Sequence, residues 1–563
     1  MRFGSYSASQ VVWVLSAAIL TMSVAAWMGI AIFHNGSGVK LIDSSCKKTP
    51  YPEACVSALQ SYEGANSKNL AHITVKASLA GAQEAHNATL KAASEFPEFM
   101  AFEDCIGLFV DAVDHVNRSM AEVPGLDMNP SKAQIANVKT WISAALTDVE
   151  TCLDGFRETT GTVMAKVEEH CQSLSRSLSN ALYVFQLYFP DNDNGSGSGR
   201  PLFNNPHPGS GYGFSGRPLL NNPNPHPGSG FSFPPWMSRT DRRLLQVPAL
   251  ELQVNATVAQ DGSGQYNTIG EALMHVPSHA SERYVVYVKA GVYEENLLLY
   301  KEKTNVMLLG DGRDRTIVAS SKNVKDGYTT FASATFAASG KGFIARDITF
   351  ANFAGPHKNQ AVALRVGADL SAFYRCNFIG FQNTLYVHSL RQFYRECNIY
   401  GTVDFILGNA AAIFQNCTII VRAPMGNQTN TITAQGRNDP NQNTGFSIQN
   451  CSIVASKDLA PVRSAYLGKP WKLFSRTVII HSFLGDVIHP AGWLEWSEDY
   501  GLERVYFGEY MNSGPGSKLD GRVGWGGYRV IKRVEEVNVF SVDNFISGAT
   551  WLPSSGIPFD HEL

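Results

Sequence analysis

Two polar residues stand at matching places of a repeated pattern in the second half of the chain. Four segments begin alike, at Cys376, Cys397, Cys417 and Cys451. Asn383 lies seven residues after the first of these cysteines, Asp404 lies seven residues after the second, and Gln382 is next to Asn383. If the segments stack as coils, Asn383 and Asp404 are about 4.8 Å apart. A carboxylate beside side-chain amides can act as a nucleophile with amide donors for an oxyanion, whereas an Asn ladder with a solvated Asp is the non-catalytic alternative.

The spacing of the four cysteines predicts the fold that positions this polar pair. Their steps are 21, 20 and 34 residues, and the last step contains a polar insertion around 426–443. Short β-branched stretches with Gly and Asn turns lie upstream, at 284–288, 305–309 and 316–319. Because each coil is too small to bury its own apolar face, such repeats stack into a solenoid. We therefore predict an all-β parallel β-helix over residues 250–563.

Residues 40–190 have the periodicity of helices instead. Apolar residues recur at helical steps in four stretches, which start at Leu70, Ile106, Val138 and Val163. Four amphipathic helices of this kind can share one core, so the region is predicted to be an all-α four-helix bundle. The short gap between Cys46 and Cys55 suits a local disulfide, and a bridge from Cys105 to Cys152 would tie two long helices together.

The remaining segments have the character of targeting and linker sequence. After a short tail, residues 1–10, residues 11–33 contain no charge and are long enough to span a bilayer as a signal-anchor, with a cleaved signal peptide as the alternative. Residues 191–247 nearly repeat a Pro/Gly/Asn-rich motif and are predicted to be an extended linker. The linker contains an exposed dibasic processing motif at Arg242, Arg243, Leu244 and Leu245.

Composition limits the classes of function that remain open. The chain has 563 residues, a net charge of −3 and 17% charged residues, so it has no basic surplus for nucleic acid and is not disordered as a whole. Its nine cysteines form no CxxC pair and no zinc-type spacing with His, so no metal is expected. Eight Asn-x-Ser/Thr sequons are compatible with glycosylation in the secretory pathway, where disulfides form.

Seven ordered motifs between about Val254 and Phe559 resemble the signatures of plant pectin methylesterases. They are Gly291-Val-Tyr-Glu-Glu, Gly310-Asp-Gly, Thr330-Phe-Ala-Ser-Ala-Thr-Phe, Gly355-Pro with Gln360-Ala-Val-Ala-Leu-Arg, Gly380-Phe-Gln-Asn-Thr-Leu-Tyr, Gly401-Thr-Val-Asp-Phe-Ile-Leu-Gly-Asn-Ala-Ala and Leu467-Gly-Lys-Pro-Trp. Residues 40–190 resemble the inhibitor domain that precedes many of these enzymes. The resemblance implies a right-handed parallel β-helix that hydrolyses the C6 methyl ester of galacturonate in pectin and releases methanol, without a cofactor.

The resemblance also assigns roles to single residues. Asp404 is implied to be the nucleophile that attacks the ester carbonyl. Gln360 and Gln382 are implied to donate their amides to the oxyanion. Residues implied to bind the substrate are Thr330, Gln360, Lys469 and Trp471. For Trp471, stacking of the indole on a sugar ring is weighed against simple burial in the core.

Two positions depart from the family pattern. Asn383 stands where the family usually has the Asp that protonates departing methanol and later activates water, and an amide cannot exchange that proton. Lys469 stands where an Arg is usual, which keeps the charge but loses a bidentate clamp on a carboxylate. The sequence therefore leaves two outcomes open, an active esterase or a weakened or inactive relative that binds pectin.

A third disulfide follows from the resemblance alone. The family pattern implies a bridge between Cys397 and Cys417, which leaves Cys171, Cys376 and Cys451 as thiols. Equivalent positions on neighbouring coils also make Cys376 with Cys397 a geometric competitor.

The expected partners follow from the order of the segments. Pectin is the implied substrate, and the chain's own helical bundle is expected to act as an autoinhibitory pro-region, with a targeting pro-region that makes no contact with the site as the alternative. A protease of the secretory pathway would cut the linker at 242–245. The implied destination is the extracellular cell wall, reached through a membrane-anchored precursor.

Overall fold

The computed structural model describes two parts of the chain. The described residues are 40–62, 65–66, 69–96, 99–123, 130–157, 161–190, 253–459 and 464–563. Four sequence predictions lie outside them, namely the tail at 1–10, the apolar segment at 11–33, the linker at 191–247 and the processing motif at 242–245. Within the described ranges, no helix combines the length and the apolar character that crossing a membrane requires.

The first part of the chain is helical. Its helices are α1 (Pro52–Leu59), α2 (Leu70–Glu95), α3 (Met100–Glu122), α4 (Lys132–Arg157) and α5 (Gly161–Tyr188). The four long helices share one core, in which Phe109, Ile142 and Leu178 are at most 1% exposed. The predicted bundle is therefore confirmed in its long helices, although the unit also contains the short α1 and a helical turn at 40–46. We call this part the helical unit.

Two disulfides tie the helical unit together. Cys46 is bonded to Cys55, with 5.5 Å between the Cα atoms, and links the turn at 40–46 to α1. Cys105 is bonded to Cys152, with 4.7 Å between the Cα atoms, and joins α3 to α4. Both bridges are the ones that the sequence predicts.

The second part of the chain consists of short strands with a few small helices. The strands are β1 (Ala256–Val258), β2 (Tyr284–Val288), β3 (Gly291–Glu294), β4 (Leu297–Leu299), β5 (Val306–Gly310), β6 (Thr316–Ser320), β7 (Phe336–Ala338), β8 (Ile344–Arg346), β9 (Thr349–Asn352), β10 (Leu364–Val366), β11 (Ser371–Tyr374), β12 (Asn377–Ile379), β13 (Leu385–Val387), β14 (Arg391–Arg395), β15 (Asn398–Gly401), β16 (Val403–Gly408), β17 (Ala411–Gln415), β18 (Thr418–Val421), β19 (Asn430–Gln435), β20 (Gly445–Gln449), β21 (Ser452–Ala455), β22 (Ala465–Pro470), β23 (Arg476–Ile480), β24 (Phe483–Leu484), β25 (Tyr506–Tyr510) and β26 (Tyr528–Val530). The helices are α6 (Ile269–Met274), α7 (Val534–Asn538), α8 (Val542–Ile546) and α9 (Leu552–Ser555).

These strands form three parallel sheets that run along one coiled chain. The eleven-stranded sheet has the order β1-β2-β5-β8-β11-β14-β17-β20-β23-β25-β26, the seven-stranded sheet β22-β19-β16-β13-β10-β7-β4, and the eight-stranded sheet β24-β21-β18-β15-β12-β9-β6-β3. The residues that follow the four repeated cysteines pair in register from coil to coil, in the order Asn377, Asn398, Thr418 and Ser452. The predicted parallel β-helix and its coil lengths are confirmed. We call this part the β-helix unit.

Aromatic rings and thiols form ladders inside the coils. Phe373, Tyr394 and Phe414 occupy successive coils, and their rings stack with centroids 4.7 and 4.8 Å apart. Cys397 and Cys417 are separate buried thiols, so the structure does not contain the third disulfide implied by the resemblance. Each thiol donates instead to backbone carbonyls, Cys397 to Phe373 O at 3.5 Å and Cys417 to Tyr394 O at 3.5 Å. Side chains in register on parallel coils run side by side, and here the carbonyls of the neighbouring coil satisfy them.

The aromatic ladder makes a testable contribution to stability. Phe373 is 0% exposed and contacts rings on both sides of its coil, so Phe373→Ala should lower the free energy of unfolding by about 3–5 kcal/mol. Phe353→Ala is the matched control, because this ring is 59% exposed and should contribute about 0.5 kcal/mol or less. Denaturant unfolding of the two variants checks this, and equal midpoints would contradict the role of the ladder.

Candidate active site

The seven-stranded sheet carries the predicted catalytic residues. Asp404 lies in β16, and Asn383 lies just before β13. Because Leu385 pairs with Ile406 across these strands, Asn383 and Asp404 occupy equivalent positions on neighbouring coils, as the sequence register predicts. Both have a left-handed backbone, with φ of 63° and 51°, which Asn and Asp adopt more readily than most residues.

Both carboxylate oxygens of Asp404 are held by side chains on later coils. The ammonium of Lys469, in β22, lies 3.0 Å from Oδ2. The hydroxyl of Thr431, in β19, donates to Oδ1 at 2.6 Å and accepts from the Asp404 backbone N–H at 3.0 Å. The carboxylate is therefore fixed in orientation before any ligand binds.

The surroundings of Asp404 have opposing effects on its ionisation. Its side chain is only 9% exposed, and this burial raises its pKa above the ordinary value. The charge of Lys469 and the hydrogen bonds from Thr431 and Lys469 lower the pKa and offset part of that effect. Asp404 is thus a buried anion whose charge depends on two named contacts.

The amide of Asn383 is buried beside this carboxylate. Asn383 is 7% exposed, and its Oδ1 has no hydrogen-bond partner in the described part of the chain. A carboxylic acid at this place would carry a transferable proton, whereas the amide offers only an N–H donor and a carbonyl acceptor. Asn383 can therefore orient a ligand or a water molecule, but it cannot exchange a proton with either.

The two glutamines lie on the same side of the sheet as Asp404. The backbone O of Gln382 accepts from Ala361 N at 3.2 Å, which places Gln360 and Gln382 on adjoining coils. Gln428 donates to Oε1 of Gln382 at 3.4 Å, so the amide nitrogen of Gln382 is left to act as a donor. Gln360 and Gln382 are both half-buried, so their amides are accessible from the groove.

The outer face of the seven-stranded sheet continues past these residues as a shallow apolar floor. Its buried members are Ala334, Ala337, Val362, Tyr386, Leu407 and Ala434. Trp471 follows β22 and packs against this floor, edge to face with Tyr386 at a centroid distance of 6.4 Å. Thr330 lies 8% exposed before β7, next to Phe331, which also packs on the floor. An indole beside a flat apolar floor suits the face of a sugar ring.

Three contacts of this site are absent from the sequence motifs. Thr431 and Gln428 lie in the polar insertion, far along the chain from the groups they hold, and no short pattern marks them. The ring of Trp496 lies 4.3 Å from the Lys469 ammonium, and it is 41% exposed. Only an exposed Trp after the last motif could have suggested it. Across the described ranges, no cluster of three or more His, Cys, Asp or Glu side chains has a geometry that would hold a metal ion.

The helical unit lies directly on this face of the β-helix unit. Helix α4 presents small polar residues at helical spacing, namely Thr140, Ser143, Thr147, Thr151 and Asp154. Thr147 accepts from Asn409 Nδ2 at 2.9 Å, and Thr151 is hydrogen-bonded to His388 Nε2 at 2.8 Å. We call this row of five residues the polar stripe of α4. It lies on the opposite face of the helix from the apolar residues that form the core of the bundle.

An ion pair and an aromatic contact extend this interface to both predicted substrate-binding segments. Lys472 Nζ, next to Trp471, lies 2.6 Å from Asp154 Oδ1, and both side chains are mostly buried. At the other segment, Thr329 donates to Asp104, and Phe331 packs against the core of the helical unit. The cavity left beside Trp471 is about 10 Å³, the lower limit for one water molecule. No sugar ring fits there while the helical unit is in place.

Comparison with known proteins gives the same two-part division. Residues 255–549 match the Pectinesterase family model, and residues 40–184 match the model of the plant invertase/pectin methylesterase inhibitor family. The chain is 45% identical over 533 residues to "Probable pectinesterase/pectinesterase inhibitor 34" of Arabidopsis thaliana, which covers 92% of this chain and 85% of the relative. It is 41% identical over 544 residues to "Pectinesterase 1" of Citrus sinensis, which covers 92% and 88%.

A solved structure supports the fold of the second part. "Pectin methylesterase from Carrot" matches with a TM-score of 0.55 and 53% sequence identity, over 55% of this chain and 98% of its own. In that relative the β-helix unit therefore exists without an attached helical unit. Both family models, the relatives matched over most of their length and the carrot structure agree: the chain belongs to the pectinesterase family and carries an N-terminal inhibitor-like domain ahead of its β-helix.

Proposed function

We propose that the β-helix unit hydrolyses methyl esters of galacturonate in the pectin of the plant cell wall and releases methanol, with Asp404 as the nucleophile. The observation that carries this proposal is the carboxylate of Asp404, which is fixed by Lys469 and Thr431 beside two glutamine amides on an accessible sheet face. Family membership supplies the reaction, and this geometry supplies groups for it. No metal or organic cofactor enters the proposed reaction.

The proposed reaction has two stages. In the first, an oxygen of Asp404 attacks the ester carbonyl, and the amides of Gln360 and Gln382 donate to the oxygen that becomes negative. The tetrahedral intermediate collapses, methanol leaves, and an acyl–enzyme remains on Asp404. In the second stage, water attacks that acyl group and frees the galacturonate carboxylate. Trp471 and Thr330 would hold the sugar units that flank the reacting one.

Asn383 supports a second candidate function. Because its amide carries no transferable proton, departure of methanol loses a contribution that is typically worth about 10²–10⁴ in rate. A protein that keeps Trp471 and the glutamines but turns over slowly would bind pectin without efficient hydrolysis. Methanol release measured beside retention on pectin separates the two functions.

The first test replaces the nucleophile in the β-helix unit, residues 253–563. Asp404→Asn should lower methanol release from methylesterified pectin by about 10⁴-fold or more, because the amide cannot form the acyl–enzyme. Retention on immobilised pectin should change little, since Trp471 and the apolar floor are unaltered. If Asp404→Asn released methanol at the wild-type rate, Asp404 would not be the nucleophile.

The ionisation of Asp404 gives a second test. The carboxylate attacks only when it is ionised, so activity is lost as the pH falls through its pKa. Thr431→Val removes the hydroxyl that donates to Oδ1, which raises that pKa, so the acidic limb of kcat/KM should move to higher pH by about one unit or more. Thr433→Val is the matched control, because this hydroxyl, on the same strand, donates to Leu467 O at 2.9 Å. Equal acidic limbs in both variants would contradict the assigned role of Thr431.

We further propose that the helical unit inhibits the β-helix unit within the same chain. Helix α4 lies against Trp471 through the Lys472–Asp154 pair, and the residual cavity is too small for a sugar. Cleavage of the linker at 242–245 by a protease of the secretory pathway would separate the units and lower the effective concentration of the inhibitor. The apolar segment at 11–33 would direct the chain into that pathway. The sequons at Asn87, Asn117, Asn255, Asn416, Asn427 and Asn450 are exposed and accessible for glycosylation.

A charge reversal in α4 tests the inhibition. In the full chain, Asp154→Lys places like charges at Lys472 and should raise methanol release at least about tenfold, towards the rate of residues 253–563 alone. Glu84→Lys makes the same charge change at a side chain that is 71% exposed on the bundle and should have no effect. Equal activity of the full chain and the isolated β-helix unit over a range of concentrations would rule out inhibition.

A further inference from the structure

The two departures from the family pattern meet at one carboxylate, and this rests on the esterase function proposed above. Asn383 has lost the proton that the first stage needs and the base that the second stage needs. Lys469, the other departure, contacts the nucleophile itself, with Nζ 3.0 Å from Asp404 Oδ2. The same active site has therefore lost one ionisable group and gained another.

The gained group differs from the usual Arg in one chemical respect. A guanidinium remains protonated at all pH values that a protein tolerates, whereas an ammonium can release a proton and the resulting amine can take it back. Lysine serves as a general base in other proteins for this reason. At Lys469 the change from Arg therefore introduces a transferable proton where the family site has none.

The position of Lys469 suits a transfer to the leaving group. When an oxygen of Asp404 bonds to the ester carbon, the methoxy oxygen sits on that same carbon, two bonds from the attacking oxygen. An ammonium that contacts the carboxylate is then next to the methoxy oxygen as well. Apart from Lys469, the described neighbours of Asp404 are the Thr431 hydroxyl and the amide of Asn383 on the adjoining coil, and neither ionises near neutral pH.

The other groups around Lys469 keep it charged in the resting site. Asp404 is the charged group in contact with it, and the ring face of Trp496 lies 4.3 Å from Nζ. Ala434 is its in-register partner on β19 and carries no charge. An anion and a ring face both stabilise the ammonium form, which is the form a proton donor must start in. The side chain is 18% exposed, so water can reach it for the second stage.

We propose that Lys469 is the general acid and base of this enzyme, in place of the carboxyl group lost at position 383. In the first stage the carbon–methoxy bond breaks as Nζ passes one proton to the methoxy oxygen, so methanol leaves neutral and the lysine becomes an amine. In the second stage that amine takes a proton from the attacking water while the new carbon–oxygen bond forms. The bond to Asp404 then breaks, which restores both the carboxylate and the ammonium.

The decisive variant is Lys469→Arg, measured as methanol release by residues 253–563. If Lys469 only balances the charge of Asp404, Arg should serve as well or better, because it restores the family residue. If Lys469 transfers the proton, Lys469→Arg should lower kcat about 10²-fold or more. Adding Asn383→Asp to Lys469→Arg should then recover at least tenfold, because the introduced carboxyl replaces the lost acid. Lys457→Arg, at an exposed lysine far from these contacts, is the matched control.

The pH profile distinguishes proton transfer from a structural role. Wild-type kcat should fall on the alkaline side as the ammonium of Lys469 is lost, and this limb should be absent from Lys469→Arg after spontaneous methanol release is subtracted at each pH. An active wild type with an equally active Lys469→Arg and an unchanged alkaline limb would overturn the role of Lys469 and leave the esterase intact. A wild type without methanol release would overturn the esterase proposal and the role of Lys469 together.

Discussion

In-register stacking of one coil on the next is the constraint on which the rest of this structure depends. Every coil must turn its apolar side chains inward at the same place, because the ring or thiol below it occupies the matching position. The ladder of Phe373, Tyr394 and Phe414 is one result. The active site is another, since the same register that aligns the interior rings also sets Asn383 beside Asp404 and brings Lys469 across from two coils away. Residues separated by about 20 positions or more in sequence thus become neighbours without any dedicated loop.

Burial of Asp404 has an energetic cost that the site offsets locally. An isolated buried carboxylate would stay protonated, and a protonated acid is a poor nucleophile. Lys469 and Thr431 favour the charged form, while the burial that opposes them also removes water that would compete for the carboxylate. At the interface between the two units, the ion pair of Lys472 with Asp154 and the neutral His388 follow the same logic. Burial and the nearby charge of Arg365 hold the pKa of His388 well below its ordinary value, so it meets Thr151 as an uncharged hydrogen-bonding partner.

The sequence predicts those features that depend on local periodicity. The strand expected at 284–288 is observed as β2 with the same limits, and the cysteine register gives the positions of Asn383 and Asp404 correctly. Features that depend on side-chain direction are less accessible. Ala80 belongs to a predicted apolar stripe, yet it is exposed, because α2 buries the face that contains Ala82 and Ala85 instead. Spacing alone could not show that Cys397 and Cys417 donate to carbonyls rather than bond to each other. The contacts of Thr431 and Trp496 require the tertiary fold, although the polar stripe of α4 is legible in the sequence as hydroxyl residues at helical steps.

That polar stripe determines how the two units can come apart. Interfaces that never open are usually as apolar as a protein core, and their exposed halves aggregate. Here the surface that α4 presents consists of hydroxyls and a carboxylate, and the surface beneath it offers amides, an imidazole and an ammonium. Water can satisfy each of these groups once the contact is broken. Separation therefore exposes two wettable surfaces rather than a sticky one, and each unit retains its own core. The chain is built so that its halves can part in an aqueous, crowded wall as folded bodies, with no chaperone needed to keep either of them in solution.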